Sequence, residues 1–327
     1  MRADIVRHLR CPSCGSSSLS YEARERRGPE IWRGWLRCDG CARDYEIIEG
    51  IPALEVAPPR RAMPCERCGR RVEAILEPWP SFVSLKGGLA VCPRCGEVIE
   101  ELKCEELTSE EENYIRKRFV EEDFAGTAFM YEWGRLIVPT LVYGFSYRAL
   151  ARVTARRMGA RTGLFLDVAT GTGMVALELG KLVPQRQIFG VDLALEMLKL
   201  GSKKAERRGL KNLTFIKGDA ERLPFRDLTF DGVTCQASFN LFPQPEVALA
   251  EMWRVMKRGS KLAMSVVCRP PRPNPFLRAF LYVSERIGHE ARFFSGSEVP
   301  EMLEKRGFEE IDAEWHGAAM LIEAKKK

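Results

Sequence analysis

Eight cysteines and three carboxylates carry most of the chemistry this sequence can be read for. The cysteines fall into four Cys-x-x-Cys pairs, Cys11/Cys14, Cys38/Cys41, Cys65/Cys68 and Cys92/Cys95, and adding 54 to each of the first four positions gives the second four. The pattern is a repeated module of the form C-x2-C-x23-C-x2-C. Zinc takes four soft ligands in a tetrahedron, and two such pairs supply them. Disulfides and redox pairs are the competing readings. Even repetition, in a chain whose first residues Met1-Arg-Ala-Asp-Ile-Val-Arg-His8 hold no apolar signal core, argues for metal instead. The expectation is therefore two Zn2+ ions, one per module. Each module is too short to fold on an apolar core alone, and metal binding worth roughly 10–16 kcal/mol offsets that deficit. Cys104, Cys235 and Cys268 are left over and read as small packing side chains.

The carboxylates are Asp167, Asp192 and Asp219. Each follows an apolar run of strand character: Leu164-Phe-Leu-Asp167, Gln187-Ile-Phe-Gly-Val-Asp192 and a run ending at Lys217-Gly-Asp219. Directly after the first comes Val-Ala169-Thr-Gly171-Thr172-Gly173-Met174, a glycine turn that leads into a helix. Such a turn lets a ligand approach the backbone and meet the free N–H groups of the new helix. Gly171-Thr-Gly173-Met-Val-Ala176 fits the dinucleotide fingerprint, with Asp192 about 20 residues on. Three acids suit a different nucleoside. Asp167 is placed for the cationic amino group of S-adenosylmethionine and would repel a pyrophosphate. Asp192 can accept both ribose hydroxyls, and Asp219 the adenine amino group. The set expected to hold the cofactor is Asp167, Ala169, Gly171, Thr172, Gly173, Asp192, Leu193, Asp219, Ala220 and Gln236.

Those acids need elements to position them. Strands and helices alternate from residue 164, with strands expected at 164–168, 187–192, 213–217, 230–236, 260–267, 308–315 and 317–324. That is an α/β, doubly wound sheet. The link at Gly317 is too short for a crossover, so one of the last two strands must run antiparallel. Ahead of it, Ser109-Glu-Glu-Glu112 fits a capping box opening a helix that runs to about 123. Residues 124–147 are rich in aromatics, and 148–159 form a basic amphipathic helix. An interruption at 268–297, with Arg269-Pro-Pro-Arg-Pro-Asn-Pro275 and an apolar helix 276–287, falls at the carboxyl edge of the sheet, where ligands bind, and is expected to form part of the acceptor pocket. The expected division is 1–56 and 57–107 for the two cysteine modules, 108–163 for a helical cap and 164–327 for the catalytic core.

From Asp167-Val-Ala-Thr-Gly171-Thr-Gly173, Val191-Asp192, Gly218-Asp219-Ala220, Leu223-Pro224-Phe225, Phe230-Asp231 and Ala248-Leu-Ala-Glu251-Met-Trp-Arg254-Val-Met-Lys257-Arg-Gly259, residues ~125–327 resemble the class I S-adenosylmethionine-dependent methyltransferases. They look most like the ubiquinone/menaquinone C-methyltransferases. The resemblance implies a seven-stranded sheet of order 3-2-1-4-5-7-6, and it implies that the stretch before the core closes over the cofactor, with Tyr131 near its methionine end. Three departures stand out, the first being Ala169 in place of the first glycine of the wider class. Met174 replaces an acid, and Val-Thr-Cys-Gln236-Ala-Ser-Phe-Asn240 lacks the family's arginine near the substrate. Leu9-Arg-Cys11-Pro-Ser-Cys14-Gly, Leu36-Arg-Cys38-Asp-Gly-Cys41 and Tyr45-Glu-Ile-Ile-Glu-Gly50-Ile-Pro-Ala-Leu54 resemble the Trm112-like zinc ribbons. In that family the ribbon is a separate subunit that stabilises a partner methyltransferase.

Charge bears on the acceptor. The net charge is +6, yet residues 1–107 hold 17 basic and 17 acidic side chains, so the whole excess lies beyond them. Two zinc–tetrathiolate centres would make the front end about minus four, which disfavours bulk attraction to phosphate there. A small apolar or aromatic acceptor is the first reading, with RNA or protein held by the ribbons as the second. A NAD-dependent oxidoreductase and a non-catalytic binding module remain as alternatives. Tyr131 and His289 are the candidate catalytic side chains. No run of 18 apolar residues exists, and a cytoplasmic protein is expected. The oligomeric state stays open.

Overall fold

The computed structural model describes residues 1–78, 87–122, 139–158, 163–287 and 292–327. Strands β9 (Phe165–Val168), β10 (Ile188–Asp192), β11 (Leu213–Gly218) and β12 (Phe230–Gln236) run parallel with one another and with β13 (Met256–Val267). Their near-continuous apolar sequences suit strands covered on both faces, and all four residues of β9 are buried. The helices between them, α3 (Met174–Leu182), α4 (Leu195–Arg207) and α5 (Pro245–Val255), supply that cover with α2 (Tyr147–Met158) and α7 (Glu298–Arg306), while α6 (Pro275–Ile287) follows β13. Strand β15 (Ala319–Lys326) is antiparallel to both β13 and β14 (Phe308–His316), and the turn between the last two strands holds Gly317 at φ 63°.

The sheet does not stop at seven strands. Four from the first cysteine module join it: β1 (Leu19–Arg27), β2 (Glu30–Cys38), β3 (Asp44–Ile48) and β4 (Ile51–Leu54). The result is eleven strands in the order β1-β2-β3-β4-β11-β10-β9-β12-β13-β15-β14. This corrects the expected strand count, and the whole order differs by the four strands added at one edge. The physical reason lies at β11, which would otherwise present an open row of N–H and C=O groups. Ala53 and Leu54 of β4 pair in parallel with Lys217 and Gly218. The cores are also continuous, because Ile5, Leu9, Leu36, Ile47 and Leu54 belong to the same buried cluster as Leu166, Phe189 and Phe225. A second zipper flanks the first: Arg10 N donates to Pro224 O at 3.1 Å, and Arg226 N donates to His8 O at 3.0 Å.

The second module stands as its own four-stranded antiparallel sheet, β5 (Arg60–Cys65), β6 (Arg70–Pro78), β7 (Gly87–Val91) and β8 (Val98–Lys103). It leads into helix α1 over 109–122. The Thr108 hydroxyl and Glu111 carboxylate cap its first turn reciprocally, at 3.3 Å and 2.8 Å to each other's backbone N–H.

Candidate functional site

At the carboxyl ends of β9, β10, β11 and β12 lies a cavity of about 790 Å3 including its mouth. From the core it is lined by Ala169 and Gly171, by Asp192 to Ala194, by Gly218 to Glu221, and by Ala237, Ser238 and Leu241 to Pro243. Of the expected cofactor residues, Ala169, Gly171, Asp192, Leu193, Asp219 and Ala220 meet there. Asp167, Thr172, Gly173 and Gln236 lie outside its lining.

The glycine turn is built against the acids. Asp192 accepts from Gly171 N at 2.7 Å through one oxygen and from Ala194 N at 2.9 Å through the other. A Cβ at Gly171 would meet nothing within 4 Å, so the open side of that residue faces a space a ligand can use. Gly173 is required for a different reason: with φ 79° it starts α3, and a Cβ there would sit 3.1 Å from the Phe215 ring. Ala169 and Ala237 follow β9 and β12 with φ 52° and 50°, a left-handed conformation unfavourable to a Cβ. Both line the cavity, and strain of this kind gathers at functional sites.

Asp167 sits beneath the turn at 2% exposure. It accepts from the Thr170 hydroxyl at 2.5 Å, the Thr234 hydroxyl at 2.7 Å and Ala176 N at 3.3 Å. Burial pushes its carboxyl up to about 6, against the pull of those donors. Burial also raises the Asp192 carboxyl. Thr172 is buried and takes a bond from Lys204 Nζ at 2.9 Å. The Gln236 amide donates to Tyr147 O at 3.0 Å. Tyr131 and His289 lie outside the described residues.

Sequence reasoning missed the other wall. Lys117, Val120 and Glu121 of α1 line the cavity. Lys117 Nζ lies 2.7 Å from both Asp219 and Glu221. Nothing in the spacing of an acidic, amphipathic helix marks one lysine as facing a ligand site. The apolar loop Leu241-Phe-Pro243 was missed as well, although its composition after a strand end was a usable signal.

The cysteines form two tetrads, Cys11/Cys14/Cys38/Cys41 and Cys65/Cys68/Cys92/Cys95, with all sulfurs of a set within 4.8 Å of one another. Sγ···Sγ separations are 3.7 and 3.5 Å in the first and 3.7 and 3.7 Å in the second. A disulfide would bring sulfurs to about 2.05 Å, whereas zinc–sulfur bonds of about 2.3 Å put tetrahedral ligands roughly 3.8 Å apart. The donor chemistry and spacing therefore fit zinc. In the first tetrad the Tyr45 hydroxyl contacts Cys11 Sγ at 3.0 Å and Ser13 Oγ at 3.0 Å, an outer shell that fixes the ligand. Cys235 and Cys268 are buried, and Cys104 is partly so.

Comparison with known proteins agrees with this geometry. Residues 166–264 match the family model described as a methyltransferase domain. The chain is 39% identical over 145 residues to a demethylmenaquinone methyltransferase of Deinococcus radiodurans, covering 44% of this chain and 58% of the relative. With that of Geobacillus kaustophilus it is 33% identical over 180 residues, covering 48% of this chain and 76% of the relative. Among solved structures, the Haemonchus contortus phospholethanolamine N-methyltransferase 2, in complex with phosphomonomethylethanolamine and S-adenosylhomocysteine, shares the fold at a TM-score of 0.51 and 15% identity, covering 64% of this chain and 60% of that one. The chain spans about half the length of the curated relatives it matches first, 58%, 54% and 48%. With three quarters of one relative's length covered at one-third identity, the chain belongs to the class I S-adenosylmethionine-dependent methyltransferases.

Proposed function

We propose that this chain transfers the methyl group of S-adenosylmethionine to a small apolar or aromatic acceptor, with zinc in each cysteine tetrad. One observation carries the cofactor reading. Among the described residues, the charged side chains lining the cavity are Asp192, Asp219, Glu221 and Glu121 against the single cation Lys117. A cleft of that sign attracts a sulfonium nucleoside and repels the diphosphate of NAD. The bound group supplies an electrophilic methyl on sulfur. What the chain's residues do is hold and orient: Asp192 takes the ribose hydroxyls, Asp219 the adenine amino group, and Asp167 stiffens the turn and supplies negative charge beneath it. Alignment alone accounts for roughly 7–11 kcal/mol of barrier lowering in such transfers, so an obligatory base is not required. Tyr131 and His289 remain candidates for contact with the methionine end and for the base.

The acceptor reading rests on what borders the cavity. Val120, Leu241, Phe242 and Pro243 are shared with a second cavity of about 620 Å3, which adds Phe119, Pro245 and Arg292. Arg292 belongs to the proposed acceptor insertion 268–297, which is tied to the core where Asn240 O accepts from Arg292 N at 3.1 Å. The named quinone methyltransferase relatives point the same way. Calorimetry with S-adenosylmethionine and with NAD tests the proposal. Affinity for the first and none for the second is expected, and Asp192→Ala should lower that affinity by at least tenfold while the fold persists. Affinity for NAD alone sinks it.

A second reading, an RNA acceptor, has one observation in its favour. Arg148, Arg152, Lys203, Arg208 and Lys211 border two cavities on either side of α4 and have no ion pair among the described residues. Filter binding across salt decides it, because phosphate-driven binding falls steeply as salt rises.

A further inference from the structure

The second ribbon touches the cofactor cavity through one helix, and both faces of that helix are occupied. Along one stripe of α1, Ile115 is fully buried against Ala74, Leu76, Ala90 and Leu102 of the ribbon sheet, with Tyr114 and Phe119 packed alongside. The fit is tight enough that a Cβ on Gly88 would lie 2.4 Å from Ile115 Cδ1. Arg61 of β5 grips Glu111 with two bonds, 2.6 and 2.8 Å. Residues 113, 117, 120 and 121 form the opposite stripe, since 3.6 residues complete a turn. Asn113 reaches Glu221 at 3.0 Å, Lys117 reaches Asp219 and Glu221, and Glu121 reaches Lys217 at 3.0 Å.

The ribbon sheet in turn hangs from its cysteines. Strand β5 ends at Cys65, β6 starts two residues after Cys68, β7 ends one residue before Cys92 and β8 starts three residues after Cys95. All four strands are therefore pinned at one end. From that end Val72 packs among the cysteines, and Ala74 and Leu76, on the same face of β6, pack under α1. Ile99 of β8 packs against both groups. Among the described residues, the buried set joining sheet and α1 is four sheet side chains and Ile115, a small core of the kind that a metal supplements.

We propose that zinc at Cys65, Cys68, Cys92 and Cys95 sets cofactor affinity: the metal fixes the ribbon sheet, the sheet fixes α1, and α1 supplies Lys117 and Glu121 as the adenosine-side wall. Lys117 and Glu121 are thereby cofactor-site residues contributed from outside the methyltransferase core. The proposal rests on the reading of the cavity as a sulfonium-nucleoside site. Apo protein would bind weakly because the ordering of α1 must then be met by the ligand's own binding energy.

The test uses the full chain and the product S-adenosylhomocysteine as probe. Its neutral sulfur keeps simple charge attraction from masking the loss of a lysine. Metal content, affinity by calorimetry and amide exchange of 109–122 are measured together. Cys92→Ser is expected to lose one zinc equivalent, to weaken binding at least tenfold and to expose the amides of 109–122. Ile115→Glu should keep both zinc equivalents and show the same two losses. Lys117→Met should keep both metals and the helix protection and weaken binding several-fold, with Lys117→Arg recovering most of it. Affinity within twofold of wild type in Cys92→Ser, with one metal gone, overturns the proposal, as does unchanged affinity in both α1 variants. If the wild-type chain binds no S-adenosylhomocysteine, the cavity reading fails instead, and this inference with it.

Discussion

The two ribbons share their cysteine spacing and their tetrad geometry, yet they are used differently. The first is continuous with the main sheet through β4 and β11 and shares its buried core. The second keeps a separate sheet and meets the rest of the chain through a helix. The segment leaving each module makes the difference. Gly50-Ile-Pro-Ala-Leu54 turns back as a strand and finds an open edge, whereas Thr108-Ser-Glu-Glu-Glu112 caps a helix. A cysteine tetrad specifies a local fold, and the chain running out of it specifies where that fold docks.

The contrast between the ribbons is tested most sharply at the cysteine tetrads. Cys38→Ser should lower the thermal midpoint of the whole chain by on the order of 10–20 °C, because the first ribbon shares the buried core of the main sheet. Cys92→Ser should leave that main transition within about 3 °C. Scanning calorimetry showing equal shifts in the two variants would falsify the contrast. A smaller effect is expected at the seam: Leu54→Ala, at a fully buried site in the shared cluster, should cost about 2–5 kcal/mol in urea unfolding.

Acid separates the regions in another way. The Arg61 guanidinium holds the Glu111 carboxyl down at about 2, so the joint between ribbon and α1 has stability that is present above the ordinary carboxylate range and is lost as pH falls toward 2. Asp167 has the opposite sign. Its raised value means that its contribution to stability is present below its unfolded pKa of about 3.9 and is lost as pH rises through about 6. Between pH 7 and 5 the turn should therefore lose negative charge while the α1 joint stays intact. Affinity for the cationic cofactor should fall by up to tenfold per unit below about 6, and Asp167→Asn should flatten the profile. A wild-type profile that is level from pH 5 to 8 would remove Asp167 from cofactor recognition. The smallest effect belongs to Ala169→Gly, which relieves a left-handed Cβ and should stabilise the chain by about 0.5–1 kcal/mol at most, read as a small rise in melting temperature.

Much of the core was legible because its signals are local. An apolar run ended by Asp167 and followed by Gly171 and Gly173 announces a strand, a turn and a helix, and the structure places β9 and α3 there. The cysteine spacing likewise announces its tetrads. The contacts between distant segments were not legible. Pairing of Ala53 with Lys217 depends on which edge is left open, and the placement of Lys117 over Asp219 depends on how a helix docks on a different module. No pattern within either segment encodes those choices. Asp167 shows the limit from the other side: its place near the end of the first core strand was legible, but its enclosure by Thr170, Thr234 and Ala176, outside the cavity lining, required the fold. Among the described residues no helix is long and apolar enough to cross a membrane.

The pairing of β4 with β11 has a consequence for how this chain responds to dilution. A stabilising subunit supplied in trans leaves its partner at nanomolar concentration, and the pair then weakens by mass action. Here the two surfaces are joined by their own backbone, so their effective concentration is fixed by the length of the intervening chain. Docking of the first ribbon on the main sheet should therefore be independent of protein concentration, and an excess of the detached first ribbon should not rescue a chain damaged at Leu54.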